Sequence, residues 1–212
     1  MRPYVIINCA MSADGKIALP TRVQTRISNE EDMRRVHLLR ATCDAILVGI
    51  GTIIADNPKL VVKKEYCVTP KNPMRVVIDS KCRIPKDANV LDGSAKTVIA
   101  VAKGYKKDLK NADVIECGKD EVDLKKLLAR LGKMGMRKLL VEGGSKIIWS
   151  FLSQGLADEL NIFVGSIVIG GERAPTLAGG KGAKKLEDVI KLKLEKVAIL
   201  GSGVLLQYRV LK

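Results

Sequence analysis

Three short stretches of this chain bring together residue types that handle phosphorylated ligands, each at the end of an apolar run and two of them where a helical pattern follows. In the first, Glu142-Gly143-Gly144-Ser145 ends KLLVE (138–142) and precedes Ile147, Ile148 and Phe151. Amides at a helix start lack partners and carry partial positive charge, so they attract phosphate, and glycine removes the side chains that would obstruct it. Glu142, at the carboxyl end of the strand, would face the crevice where α/β sheets bind ligands. A plain turn, with Glu142 capping the helix, accounts for the same residues. In the second, GIGTII (49–54) follows AILVG and resembles the opening of a dinucleotide fingerprint, but Ile54 stands where its third glycine belongs. Gly49 and Gly51 still permit close backbone approach, Thr52 can cap or donate in a short helix, and Asn57 before Pro58 ends that helix. A mere connector fits as well. In the third, Asp79-Ser80-Lys81-Cys82-Arg83 closes RVVID (75–79). An acid followed by a hydroxyl and two bases suits an adenosine ribose carrying a 2′-phosphate, and equally an exposed turn.

Weaker signals lie between these junctions. Asp14-Gly15 in SADGKIA marks a reverse turn, with a loop covering a ligand as the alternative. His37 is expected to be a packed or surface histidine rather than a base, and Arg40, one turn on, is a candidate anion partner. IGGERAPTLAGGKG (169–182) reads as a long surface loop that could border the site. Walker A, nucleophile-elbow and H-E-x-x-H motifs are missing from the sequence, which disfavours a kinase or hydrolase.

The elements that must position these residues follow from apolar periodicity. Strand-like runs occupy 4–8, 45–49, 75–79, 97–102, 113–117, 138–142 and 159–165, and a final pair, 193–201 and 203–211, flanks the tight turn Gly201-Ser202-Gly203. Ser28-Asn29-Glu30-Glu31 predicts a capping box, Ser28 capping the third amide and Glu31 reaching back, for a helix to about Thr42. Asp123 opens a second helix, with Leu124, Leu127, Leu128 and Leu131 on one side and Gly132 closing it; Ser145 to Gln154 forms another. Alternating strands and helices predict an α/β layer with a mainly parallel sheet, made mixed by the final antiparallel hairpin. With no Pro/Ser linker and no repeat, a single domain over 1–212 is expected.

Composition narrows the functions. Of 212 residues 47% are hydrophobic but only 3% aromatic, so one sizeable core must be built from Val, Ile and Leu. A formal net charge of +14 raises nucleic-acid binding, yet the lysines are spread along the chain and few aromatics could stack a base. A solvated Lys/Glu surface, or a field favouring phosphorylated small molecules, fits better. Five scattered cysteines and one histidine are too few clustered ligands for a zinc site, and the thiols point to a reducing compartment. Without an 18-residue apolar run or a signal-peptide pattern, a cytoplasmic protein with no membrane partner is expected.

In order, NCAMSADGKIA, RISNEEDMRRVHLLRATCDAILVGIGTIIADNPKL, PMRVVIDSKCRIP and LLVEGGSKIIWSFLSQGLADEL resemble the riboflavin-biosynthesis reductases over nearly the full chain. The resemblance is closest to the archaeal stand-alone members, without the deaminase half of the bacterial bifunctional enzymes. It implies a dihydrofolate-reductase-like fold, a homodimer, and NADPH as cofactor with NADH as a second acceptable donor. The implied reaction reduces the ribosylamino side chain of 2,5-diamino-6-ribosylamino-4(3H)-pyrimidinone 5′-phosphate to the ribitylamino form. By this resemblance Ala10, Thr52 and Asp56 lie against the cofactor. Asp79, Ser80, Lys81 and Arg83 read its adenosine end, and Gly143, Gly144, Ser145, Lys146 and Ile147 hold its pyrophosphate. Gln24, Ser28, Arg40, Leu60, Lys63 and Glu142 would bind substrate, Lys63 standing where bacterial relatives place an arginine and so keeping the charge without the bidentate grip. Glu142 and Asp56 are the candidates for orientation or proton handling, and no metal is implied. Two other functions compete: a pterin reductase on the same fold, and a basic nucleic-acid-binding module.

Overall fold

The computed structural model describes residues 1–22, 25–68 and 70–211. The chain forms two compact units, each drawn from two separated stretches: Met1–Tyr4 with His37–Leu140, and Val5–Val36 with Val141–Lys212.

In the first unit the strands β2 (Ala45–Gly49), β3 (Met74–Ile78), β4 (Thr97–Val101) and β5 (Asp113–Glu116) pair in parallel. With β6 (Lys138–Val141) they run in the order β5-β4-β3-β2-β6. Every residue of β2 and β4 is buried, which is why these strands read as continuous apolar runs rather than alternating ones. Asp44 sets the entry to β6, its Oδ2 accepting from the amides of Arg137 at 2.8 Å and Lys138 at 2.9 Å. Helix α3 (Leu124–Lys133) is capped by Asp123, which accepts from the Lys126 amide, and buries the four predicted leucines. Contrary to expectation, Gly132 does not end α3 but lies inside it. A Cβ there would collide with the Met1 carbonyl oxygen, so the glycine serves close approach of the N-terminal backbone.

One buried group here had no sequence signal. Arg75 on β3 is fully enclosed and donates to Thr97 Oγ1 at 2.9 Å, Asp92 Oδ1 at 3.0 Å and the carbonyls of Lys59 and Ala95. Only such complete pairing makes a buried guanidinium tolerable.

In the second unit β1 (Tyr4–Ser12) pairs in parallel with β7 (Glu159–Gly165), while β8 (Leu192–Leu200) and β9 (Gly203–Val210) form the predicted hairpin. The order is β1-β7-β9-β8, and the antiparallel β7–β9 pairing makes the sheet mixed. β1 runs beyond the predicted 4–8 because its ladder with β7 continues as far as Ser12 opposite Gly165.

The predicted capping box is corrected. α1 (Glu30–Ala41) is capped by Asn29, whose Oδ1 accepts from the Asp32 amide at 2.9 Å, and Ser28 instead donates to the Asp32 side chain. Asn29 also donates to the Leu200 carbonyl at 2.6 Å, a tertiary bond that selects it over its neighbour.

Candidate active site

In the first unit, α2 (Ile50–Asp56) leaves β2 through Gly49, with no side-chain cap, so Thr52 is a half-buried helical residue and not a cap. Nothing lies within 4 Å of a Cβ built on Gly51, so this backbone is open to a ligand. Asn57 ends the helix in the left-handed region at φ 41°, a conformation that asparagine tolerates better than most residues with a Cβ. Asp56, in the last turn, carries an enclosed Oδ1 with no hydrogen-bond partner among the described residues, and burial pushes its carboxyl above the ordinary 3.8. A buried acceptor left without a donor costs about 1–3 kcal/mol. Asp56 thus presents a buried acceptor to which no described residue donates.

The turn after β3 divides its labour. Asp79 is fully buried; its Oδ2 accepts from the Ile84 amide at 2.8 Å and its Oδ1 faces Arg83 Nε at 3.6 Å. The Ser80 hydroxyl accepts from the Val122 amide at 3.1 Å. Acid and hydroxyl thus shape the turn, while Lys81 and Arg83 stand exposed. Lys107, which sequence reasoning missed, donates to the Cys82 carbonyl at 2.8 Å and adds a third cation.

Arg40 and Lys63 are brought together by the segment 60–66. Arg40 Nη1 donates to the Val61 carbonyl at 3.1 Å; Leu60 is buried at φ 51°, and the Lys63 amide donates to His37 Nδ1 at 3.2 Å. His37 is 2% exposed and stacks on Tyr66 at 4.7 Å, the packed role expected of it. Accepting at Nδ1 places its ring proton on Nε2. The Lys63 ammonium pairs with Glu65 at 3.1 Å and lies 5.8 Å over the Tyr66 ring.

In the second unit, Ala10 is half-buried on β1 beside Cys9. The Cys9 thiol is pushed up to about 12 by burial, then by the charges of Asp32 and Glu142. Glu142 is half-buried, one residue past β6, and α4 (Ser145–Ser153) has Gly144 at its cap position with no side-chain cap bond. Gly143, at φ 118°, has nothing within 4 Å of its Cβ position, and the Gly143–Gly144 peptide is cis. Lys146 is exposed and Ile147 half-buried in the first turn.

The glycine-rich segment borders this junction. The Gly179 amide donates to the Ser145 carbonyl at 3.1 Å, and a Cβ on Gly179 would lie 2.8 Å from Ser145 Oγ. Its other end is held by Asp14, which accepts from Ser12 Oγ at 2.6 Å and from the amides of Ile169 and Gly170 at 3.0 and 2.7 Å. These donors hold the Asp14 carboxyl down at about 2. The SADG turn and the glycine-rich loop, separate in the sequence, are one construction. Ser28 is half-buried, whereas Gln24 lies outside the described residues. Among the described residues no group of three metal-ligating side chains occurs, and no helix is long and apolar enough to cross a membrane.

Parallel strands opening through glycine into helix starts place the chain in the class of reductases with a dihydrofolate-reductase-like fold. Dihydrofolate reductase from Enterococcus faecalis, complexed with NADP(H), superposes with a TM-score of 0.53 at 10% identity, covering 99% of this chain and 97% of its own, a likeness of fold alone. More narrowly, the chain belongs to the RibD C-terminal domain family, whose model matches residues 3–206. The 2,5-diamino-6-ribosylamino-4(3H)-pyrimidinone 5′-phosphate reductase of Methanothermobacter thermautotrophicus is 44% identical, covering 99% of each chain. Acinetobacter baumannii RibD superposes with a TM-score of 0.87 at 26% identity, covering all of this chain and 59% of that one.

Proposed function

We propose that this chain is a cytoplasmic, NADPH-dependent reductase converting 2,5-diamino-6-ribosylamino-4(3H)-pyrimidinone 5′-phosphate to its ribitylamino form, with 1–212 acting as one reductase domain. The observation that carries this reading is the 44% identity, over 99% of both chains, to a reductase bearing that substrate's name. The chemistry of the residues fits it. Lys81 and Arg83, exposed on a turn braced by Asp79 and Ser80, offer cations to a 2′-phosphate. In the first unit the open backbone at Gly51 with Thr52, and in the second that at Gly143 with Ala10, Ser145, Lys146 and Ile147, each offer amides suited to a dinucleotide. Asp56 Oδ1 awaits a donor such as a ribose or carboxamide group.

When bound, NADPH supplies the hydride that C1′ of the ring-opened imine accepts. The protein must bind the sugar phosphate, orient C1′ and manage the protons. Arg40 and Lys63 supply positive charge for the 5′-phosphate, with Leu60 packing beside them. Glu142 faces the sugar, where it orients a hydroxyl or holds the proton that the opening ring oxygen takes up. The test is loss of reduced-nicotinamide absorbance with the ribosylaminopyrimidinone phosphate, using NADPH and NADH, with dihydrofolate as comparison. Oxidation is expected with the pyrimidinone only and faster with NADPH; oxidation with dihydrofolate alone would replace this reading by a pterin reductase.

We also propose a homodimer. The edge strand β8 carries Leu194, Val197 and Ile199 at 50%, 56% and 81% exposure, a row of apolar side chains that soluble proteins ordinarily cover.

A further inference from the structure

Ser28 and Asp32 are joined by a short contact whose direction is decided by a third residue. Asp32 is fully buried. Its Oδ1 takes two N–H groups of Arg35, Nε at 2.8 Å and Nη2 at 2.7 Å, and its Oδ2 lies 2.5 Å from Ser28 Oγ. A carboxylate facing a guanidinium can only accept, so the single proton of the Ser28 hydroxyl is committed to Asp32. Toward anything on its half-exposed side, Ser28 offers lone pairs and no proton. The same Arg35 donates its second Nη2 hydrogen to Asn8 Oδ1 at 2.8 Å, tying the pair to β1 two residues before Ala10.

We propose that Asp32, fixed by Arg35, is a positioning residue that makes Ser28 an obligate hydrogen-bond acceptor, so that Ser28 reads a hydroxyl of the substrate's sugar chain and not its phosphate. A phosphate presents acceptors, and two acceptors repel. This rests on the reading that Ser28 borders the substrate; what it adds is which part of the substrate Ser28 can recognise, and which buried group decides it.

The test compares kcat/KM for the 5′-phosphorylated substrate and for its dephosphorylated form. Ser28→Ala is expected to lower both by the same factor, roughly fivefold to tenfold, the size a neutral hydrogen bond commands. Arg40→Ala, a phosphate-gripping residue, is expected to lose its effect on the dephosphorylated form. A Ser28→Ala penalty confined to the phosphorylated substrate would overturn the proposal. No penalty with either form, in an enzyme that still reduces both, would instead remove Ser28 from the substrate site. To separate positioning from a merely structural role, Asp32→Asn is placed on both backgrounds. Its effect on substrate KM is expected to vanish once Ser28 is alanine, with the NADPH Kd unchanged; additive effects of the two substitutions would contradict action through Ser28.

Discussion

Glu142 follows the end of β6 and Asp56 closes the short helix α2, and their surroundings assign them different work. Glu142 stands one residue past β6, where its charge raises the Cys9 thiol together with that of Asp32, and the work proposed for it is on the substrate. Glu142→Gln is expected to lower turnover about a hundredfold, the lower range for a group handling a proton, while NADPH affinity holds. Equal damage to both, measured by steady-state kinetics and cofactor titration, would indicate a cofactor or folding role. Asp56 is instead a desolvated acceptor without a donor. Its carboxyl keeps its proton in the folded protein above the ordinary 3.8, so the folded state binds more protons than the unfolded chain. Stability therefore falls as pH rises from 3.8 through the raised value. Ligand-free Asp56→Asn is expected to melt above the parent at neutral pH, to lose that advantage below the ordinary carboxyl value, and to bind NADPH more weakly. A parent melting above the variant at neutral pH would contradict an unpaired carboxylate. Glu142 was legible because the acid, the glycines and the strand end adjoin in sequence, whereas Asp56 entered through the family resemblance. Asp32, Arg35 and Asn8 were not, since their chemistry exists only once α1 is laid against β1. Arg75 was hidden in the same way, its partner Asp92 lying far along the chain.

At the scale of elements, buried strands announce themselves because both faces are covered and every position is apolar, as in β2 and β4. Caps and loops depend on partners outside the window. Ser28 and Asn29 are equally good caps by composition, and the Leu200 carbonyl decides for Asn29. The glycine-rich segment likewise shows only that it is a loop; its contacts with Ser145 and Asp14 give it a place. If that placement supports cofactor binding, Gly179→Ala, which sets a methyl 2.8 Å from Ser145 Oγ, is expected to raise the NADPH Kd roughly tenfold, about the effect of 1.4 kcal/mol. Thermal stability should change little, because the contact lies at the surface end of α4. An unchanged Kd would detach the loop from the cofactor's pyrophosphate.

At the scale of the whole molecule, the net charge of +14 suits a protein that gathers phosphorylated ligands, and the apolar edge of β8 suits one that pairs with itself. Sedimentation is expected to give twice the 23.1 kDa of the chain, and Val197→Lys with Ile199→Lys to give the monomer. A monomeric parent would leave β8 without its proposed cover. The mixed, mainly parallel fold and the reductase family were readable from motif order, because each motif sits at a strand end that the fold must keep; the self-pairing surface was not, since an edge strand alternates like any other. The claim on which all of this converges is that hydride reaches the sugar carbon C1′. It is tested most directly by turning over the ribosylaminopyrimidinone phosphate with NADPH deuterated at both C4 positions and analysing the product by mass and NMR. One deuterium at C1′ of the ribityl chain is expected; deuterium on the pyrimidine ring, or none in the product, would contradict the account.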